Sequence, residues 1–162
     1  MASRVLITYG TRPFAQRVGM LLQGTYEVRF GSADDVPRVL LQTGNYIQLP
    51  EVGTAAFEHE LLRACLDNHI DAVVPLGEKE VDALAGVQQL FAEYGIALWM
   101  PDAVYAGAHS RLRNPERRLP LVVLDRGNAV AGRQPDEQAD GLSGVFTRAT
   151  PEETLALCCI AD

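Results

Sequence analysis

Two short stretches each gather polar and charged side chains at a predicted strand–helix turn. The first, "YGTRPFA" at residues 9–15, sets Gly10, Thr11 and Arg12 between an apolar run and an amphipathic one. A strand, a tight turn and then a helix bring unpaired N–H groups and a positive dipole to the C-terminal edge of a parallel sheet, where ligands of open α/β folds bind. Arg12 could clamp a carboxylate or phosphate there through its planar fork. Without a ligand, the same turn is a tight bend bearing a solvent-exposed arginine. The second and third glycines of a dinucleotide fingerprint are missing, which counts against NAD or FAD, and no cofactor is expected. The second stretch, "PLGEKE" at residues 75–80, falls at the same sheet edge. Glu78 and Glu80 could accept hydrogen bonds from an amine or hydroxyl of a small ligand. They could equally be plain first-turn acids favoured by the helix dipole.

Other polar residues form no recognisable site. His59, His69 and His109 have no metal-ligand spacing, and His109 beside Ser110 is not a triad, because triads assemble in space. Cys65, Cys158 and Cys159 fit buried thiols of a reducing compartment, and a cytoplasmic location is expected. A net charge of −7 argues against nucleic acid, whose phosphates need a dense basic face. The one basic cluster, "RLRNPERR" at residues 111–118, reads as a solvated loop. No window supplies the roughly 20 apolar residues of a membrane span, and the N-terminal apolar run is too short for a signal peptide.

The elements that must position these residues follow from apolar periodicity. "RVLIT", "YEVRF", "YIQLP", "DAVVP" and "IALWM" read as strands. Between them, a helix starts at Pro13 with Phe14, Val18, Leu21 and Leu22 on one face, closed by Gly24. A short helix is expected in "VPRVLLQTG". A third has Thr54 as N-cap and buries Phe57, Leu61, Leu62 and Cys65. One long helix is expected from "GEKEV" to a stop at Gly95. This alternation predicts an α/β fold: a Rossmann-like open parallel sheet with helices on both faces, over residues 1–101. Residues 102–162 read as a small α+β extension. It has a short helix in "DAVYAGAHSRL", a hairpin "LPLVVLDRGNAVAG", a polar loop at 133–143, a strand "GVFTRA", and a last helix in "TPEETLALCCIA" capped by Thr150, Pro151 and Glu153. Two strands make no stable sheet alone, so the extension must pack on the main domain, a second copy or a partner.

Three pieces in order, "VLITYGTRPFAQRVGMLL", "HIDAVVPLGEKEVDALA" and "LFAEYGIALWMPD", resemble the N-terminal, pre-ATP-grasp domain of ATP-grasp ligases of the carbamoyl-phosphate-synthase type. The resemblance raises Glu80 above Glu78, because the family's helix opens on a glutamate at that place. "LPLVVLDRGN…GLSGVFTRATPEETLAL" is similar to the opening of the ATP-grasp domain itself. The family's nucleotide-binding lysine falls there on Leu124, and its glycine-rich loop reduces to Gly141, Ser143 and Gly144. Leucine cannot contact phosphate, and the chain ends at Asp162, ahead of the family's Mg-binding lobe. The resemblance therefore implies no ligase activity by this chain alone.

Two functions are consistent with these observations. One is a non-catalytic small-ligand-binding or regulatory domain, derived from an ATP-grasp substrate domain and using Gly10, Thr11, Arg12 and Glu80. Its ligand would be small and anionic or amino-acid-like. The other is the substrate-binding subunit of a split ligase whose ATP-grasp lobe is a separate chain. That reading calls for an exposed apolar patch near residues 119–124 or on the last helix. Self-association as a homo-oligomer, most simply a symmetric dimer, is expected to cover such surface.

Overall fold

The fold is seen in a computed structural model, which describes residues 2–102, 110–136, 139, 141–148 and 154–161. The first layer is a five-stranded parallel sheet in the order β3-β2-β1-β4-β5, made of β1 (Arg4–Ile7), β2 (Glu27–Ser32), β3 (Tyr46–Gln48), β4 (Ala72–Val74) and β5 (Ala97–Leu98). Strands β1 and β4 are central and buried on both faces, which explains their unbroken apolar runs. The chain steps outward from β1 to β2 and β3, then returns to lay β4 on the other side of β1. The β1–β4 seam is therefore the topological switch point, where the strand order reverses and a crevice opens at the carboxyl ends.

Helix α1 (Pro13–Leu22) covers one face, with Pro13 in its first turn, where the missing N–H costs nothing. Its buried side is Ala15, Val18, Gly19 and Leu22; Leu21, expected there, is half-exposed, since small residues let the helix approach Phe30 of β2 closely. Helix α2 (Arg38–Gln42) buries none of its residues. Helix α3 (Phe57–Asp67) buries Phe57, Leu61, Leu62 and Cys65, as its periodicity predicts. Its N-cap is Ala56, not Thr54, whose hydroxyl donates to the Glu51 carbonyl at 2.9 Å. The single long helix expected after "PLG" is two, α4 (Glu78–Leu84) and α5 (Gln88–Glu93), broken at Ala85–Val87 around Gly86. Gly95 ends the second with a φ of 76°.

The rest of the chain builds a second five-stranded sheet, in the order β6-β10-β9-β7-β8. Its strands are β6 (Arg111–Arg113), β7 (Val122–Asp125), β8 (Asn128–Ala131), β9 (Gly144–Thr147) and β10 (Ala156–Cys159). The hairpin β7–β8 and strand β9 match expectation. Two elements do not. Residues 111–113, read as part of a helix and a solvated basic loop, are a strand paired in parallel with β10. "ALCC", read as the end of a helix, is a central strand, with Leu157 in one core layer and Cys158 and Ile160 in the other. A short all-apolar run has no period to separate the two forms, and pairing with β9 and β6 decides it. The expected helix at 102–112, His109, part of the polar loop, and the Thr150, Pro151 and Glu153 cap lie largely or wholly outside the described residues.

The extension packs on the main domain. Ile160 donates its N–H to Leu76 O at 2.7 Å and accepts Glu78 N–H at 3.1 Å, forming a parallel bridge between the end of β10 and the β4–α4 turn. Val122, Leu124, Phe146 and Leu157 join the core layer of α3, α4 and α5, and Leu121, Val123, Val145 and Cys158 join that of α1. Arg17 of α1 reaches across to the carbonyls of Glu116 and Leu119. No helix among the described residues is long and apolar enough to cross a membrane.

At the end of β1, Gly10 donates to Gly31 O at 2.8 Å, and a Cβ on it would lie 2.5 Å from Phe30 Cβ and 3.0–3.1 Å from the backbone of Gly31 and Phe30. Gly10→Ala is therefore expected to destabilise the fold by about 2–3 kcal/mol, read as a lower urea midpoint at unchanged slope. Gly24→Ala, with nothing within 4 Å of its added Cβ, serves as the control and should be neutral or slightly stabilising.

Candidate functional site

Four loops meet at the carboxyl ends of the parallel strands and enclose a cleft of about 240 Å³. Its lining comprises Tyr9 after β1, Ser32–Asp34 after β2, Leu49–Val52 after β3, and Lys79 and Glu80 at the start of α4. This is the crevice at the topological switch point.

Each wall has a local cause. Thr8, a fully buried hydroxyl at the end of β1, accepts Leu76 N–H at 2.9 Å and donates to Glu80 Oε1 at 2.6 Å. The same oxygen accepts Gly77 N–H at 3.2 Å, the helix-capping half of the bond that an N3 glutamate makes. Glu80 is thus 6% exposed yet hydrogen-bonded, with its carboxylate held at the wall of the cleft. Tyr9 next to it adopts φ 54°, a left-handed conformation uncommon outside glycine. Its ring lies where a Cβ on Gly77 would stand, 2.3 Å from Cε2, so glycine at the N-cap of α4 leaves room for the ring and a larger residue would displace its tip. The opposite wall is pinned by Gln48, whose amide donates to the carbonyls of Ser32, Ala33 and Asp34 at 3.0–3.3 Å. Its carbonyl oxygen accepts Val36 N–H at 3.3 Å.

The two glutamates singled out in the sequence have opposite fates. Glu80 turns inward. Glu78 turns toward the second sheet, where Arg113 binds it through two nitrogens at 2.7 and 2.9 Å, and Arg111 approaches at 3.6 Å while pairing with Asp82 at 2.7 Å. The Arg113 hydrogen bonds, with the charges of Arg113 and Arg111, hold the Glu78 carboxyl below its ordinary pKa. Glu27 is likewise lowered, first by its hydrogen bond to Arg29 and then by Arg4.

Of the other expected site residues, Gly10 is buried against β2, and Thr11 and Arg12 are exposed on the turn that Arg12 N–H closes onto Tyr9 O at 2.9 Å. Arg12 is the N-cap of α1. The turn adjoins the cleft through Tyr9, but none of its three residues lines it, whereas Glu80 does. Sequence reasoning missed Thr8, Tyr9, Ser32, Gln48 and Lys79. Thr8 had a readable signal, a hydroxyl closing an otherwise apolar strand. The others depend on how loops far apart in sequence converge.

The described residues resembling a nucleotide-binding lobe are structural. Leu124 is fully buried, and Ser143 Oγ accepts Arg126 N–H at 2.9 Å, tying the Gly/Ser segment to the β7–β8 turn. Burial pushes the Cys65 and Cys158 thiols up to about 12, which makes them poor nucleophiles. Among the described residues, no three His, Cys, Asp or Glu side chains are placed to hold a metal ion.

The cleft is chemically mixed. Three carboxylates, Asp34, Glu51 and Glu80, and one ammonium, Lys79, surround a tyrosine, a serine and the apolar Leu49, Pro50 and Val52. That set suits a small ligand with an amino group and a single acid group better than a phosphate. No protein-family model and no curated protein matches the chain.

Two outcomes follow from the hydrogen bonds. Thr8→Val leaves Leu76 N–H and Glu80 short of a buried partner and should cost about 2–4 kcal/mol, whereas Thr8→Ser, which keeps the hydroxyl, should cost about 1 kcal/mol; chemical denaturation measures both. Because Glu78 and Glu27 have lowered pKa values, their contribution is full above the ordinary carboxyl value of 4.5 and fades as pH falls below it. Glu78→Gln should flatten the fall in stability between about pH 4.5 and 3 relative to the parent protein, measured by urea midpoints across that range.

Proposed function

We propose that the chain is a non-catalytic binding or regulatory domain for a small amino-acid-like molecule, held in the cleft at the carboxyl edge of the parallel sheet. The observation that carries this reading is the Glu80 carboxylate, buried and fixed by Thr8 and Gly77 N–H, at a crevice that also presents Lys79, Asp34 and Glu51. An ammonium group suits the carboxylates, and a carboxylate suits Lys79. The volume of about 240 Å³ fits a molecule of amino-acid size. A strained Tyr9 at the same edge supports it, since left-handed non-glycine residues gather at ligand sites. The resemblance to the substrate domain of ATP-grasp ligases points to the same sheet edge, and to Glu80 in particular. Arg12 and Thr11, with Gly10 shaping their turn, sit beside the cleft as a rim for the ligand's outer end.

A split ligase with a separate ATP-grasp chain is the second reading. It called for an exposed apolar surface near residues 119–124 or on the last helix; Leu119, Leu121, Val122, Val123 and Leu124 are buried, as are Leu155, Leu157, Cys158, Cys159 and Ile160, so among the described residues no observation favours it. The same burial removes that surface as a reason for a homo-oligomer.

Isothermal titration with a panel of amino acids, the matching amines and the matching carboxylic acids tests the proposal. One or more zwitterions should bind saturably, and Lys79→Ala and Glu51→Gln should each weaken binding about ten-fold. Arg12→Ala should have a smaller effect. Binding of the acids alone, equal binding by both variants, or no saturable binding in the panel would overturn it.

A further inference from the structure

A second cleft, of about 540 Å³, lies on the other sheet and plays no part in the reading above. Its floor is apolar, formed by Leu119, Leu121, Val122 and Leu155. Three arginines from three separate segments also line it: Arg118 before β7 and Arg133 after β8, both exposed, and Arg148 after β9, half-buried. Only one carboxylate, Asp136, shares the described lining. In a chain of net charge −7, this reverses the local sign.

The ion pairs of the fold do not take up all of the cluster's charge. Arg111 and Arg113, the arginines that bind the main domain, face Glu78 and Asp82 elsewhere. Arg118 is exposed and shares its charge with Glu116 at the surface. Arg133 is exposed, and among the described residues no carboxylate pairs with it. The walls are well supported. Buried Thr147 donates its hydroxyl to Pro120 O, joining β9 to the segment before β7, and Arg17 holds the Leu119 carbonyl from the far side. Gln134, beside Arg133, is bonded to Ala129 N–H at 2.7 Å and Gly127 O at 2.8 Å, which sets the position of that segment.

An apolar floor with planar, permanently charged groups at the mouth is the arrangement that takes an apolar body by burial and an acid head by bidentate hydrogen bonds. From this we infer that the cleft between residues 118–122, 133–136 and 147–148 is a binding site for a small organic anion, an aromatic or aliphatic body bearing one carboxylate or phosphate. The volume lies within the range of ordinary ligand pockets, roughly 300–1,000 Å³. The site is independent of the amino-acid-like ligand proposed for the first cleft, and either can stand without the other.

The test is an amide NMR titration of the full chain with phenyl phosphate, phenylacetate, benzyl alcohol and inorganic phosphate. Phenyl phosphate or phenylacetate should give saturable shifts centred on Leu121, Val122, Thr147 and Arg148, and whichever binds more tightly identifies the head group. Benzyl alcohol and inorganic phosphate should bind at least about ten-fold more weakly, since each lacks one half of the recognition. Arg133→Ala should weaken the preferred anion about ten-fold, with Arg133→Lys in between. Arg133 is exposed, so its loss should leave the spectrum of the free protein folded. No saturable shifts at these amides, benzyl alcohol binding as well as the anions, or unchanged affinity in Arg133→Ala would overturn the inference.

Discussion

One oxygen atom ties the working edge of this protein together. Glu80 Oε1 accepts from Thr8 at the end of β1 and from the N–H of Gly77 at the start of α4, while Thr8 itself accepts from Leu76. The two central strands of the parallel sheet are thereby joined where their backbone pairing runs out. A buried carboxylate is costly unless its hydrogen bonds are made, and here the seam between β1 and β4 supplies them. The same seam is where the strand order reverses, so the constraint that closes the sheet also shapes the mouth of its crevice.

The second sheet depends on the same turn. Leu76 and Glu78, on either side of Gly77, exchange backbone hydrogen bonds with Ile160, and the Glu78 side chain takes the Arg113 fork and approaches Arg111. Six residues, Pro75 to Glu80, therefore cap a helix, anchor the C-terminal sheet and line a cleft. Glycine at position 77 leaves room for the Tyr9 ring, which occupies the place of its Cβ, and Tyr9 adopts a left-handed conformation beside it. Strain at this place, surrounded by satisfied hydrogen bonds, is one of the observations behind the proposed ligand site.

The strands of the parallel sheet, the buried face of α3 and the hairpin β7–β8 were legible because apolar runs and turn residues set them locally. The last strand was not. "ALCC" is apolar at every position, and only its neighbours β9 and β6 make it extended. The arginines of β6 read as a solvated run because their partners, Glu78 and Asp82, lie some 30 residues earlier in the chain. The break at Gly86 was hidden because the amphipathic pattern continues on both sides of it. For the site, Glu80 was visible and Thr8 nearly so, but Gln48 and Lys79 matter only through the meeting of four loops, which no single stretch encodes.

On the proposed reading, the crevice at the β1–β4 seam is where this chain meets a small-molecule ligand. Mapping backbone amide shifts during titration with an amino acid that binds tests it most directly. The largest shifts should fall at Tyr9, residues 32–34 and residues 77–80. Shifts that instead centre on the second sheet, with those amides unmoved, would contradict it.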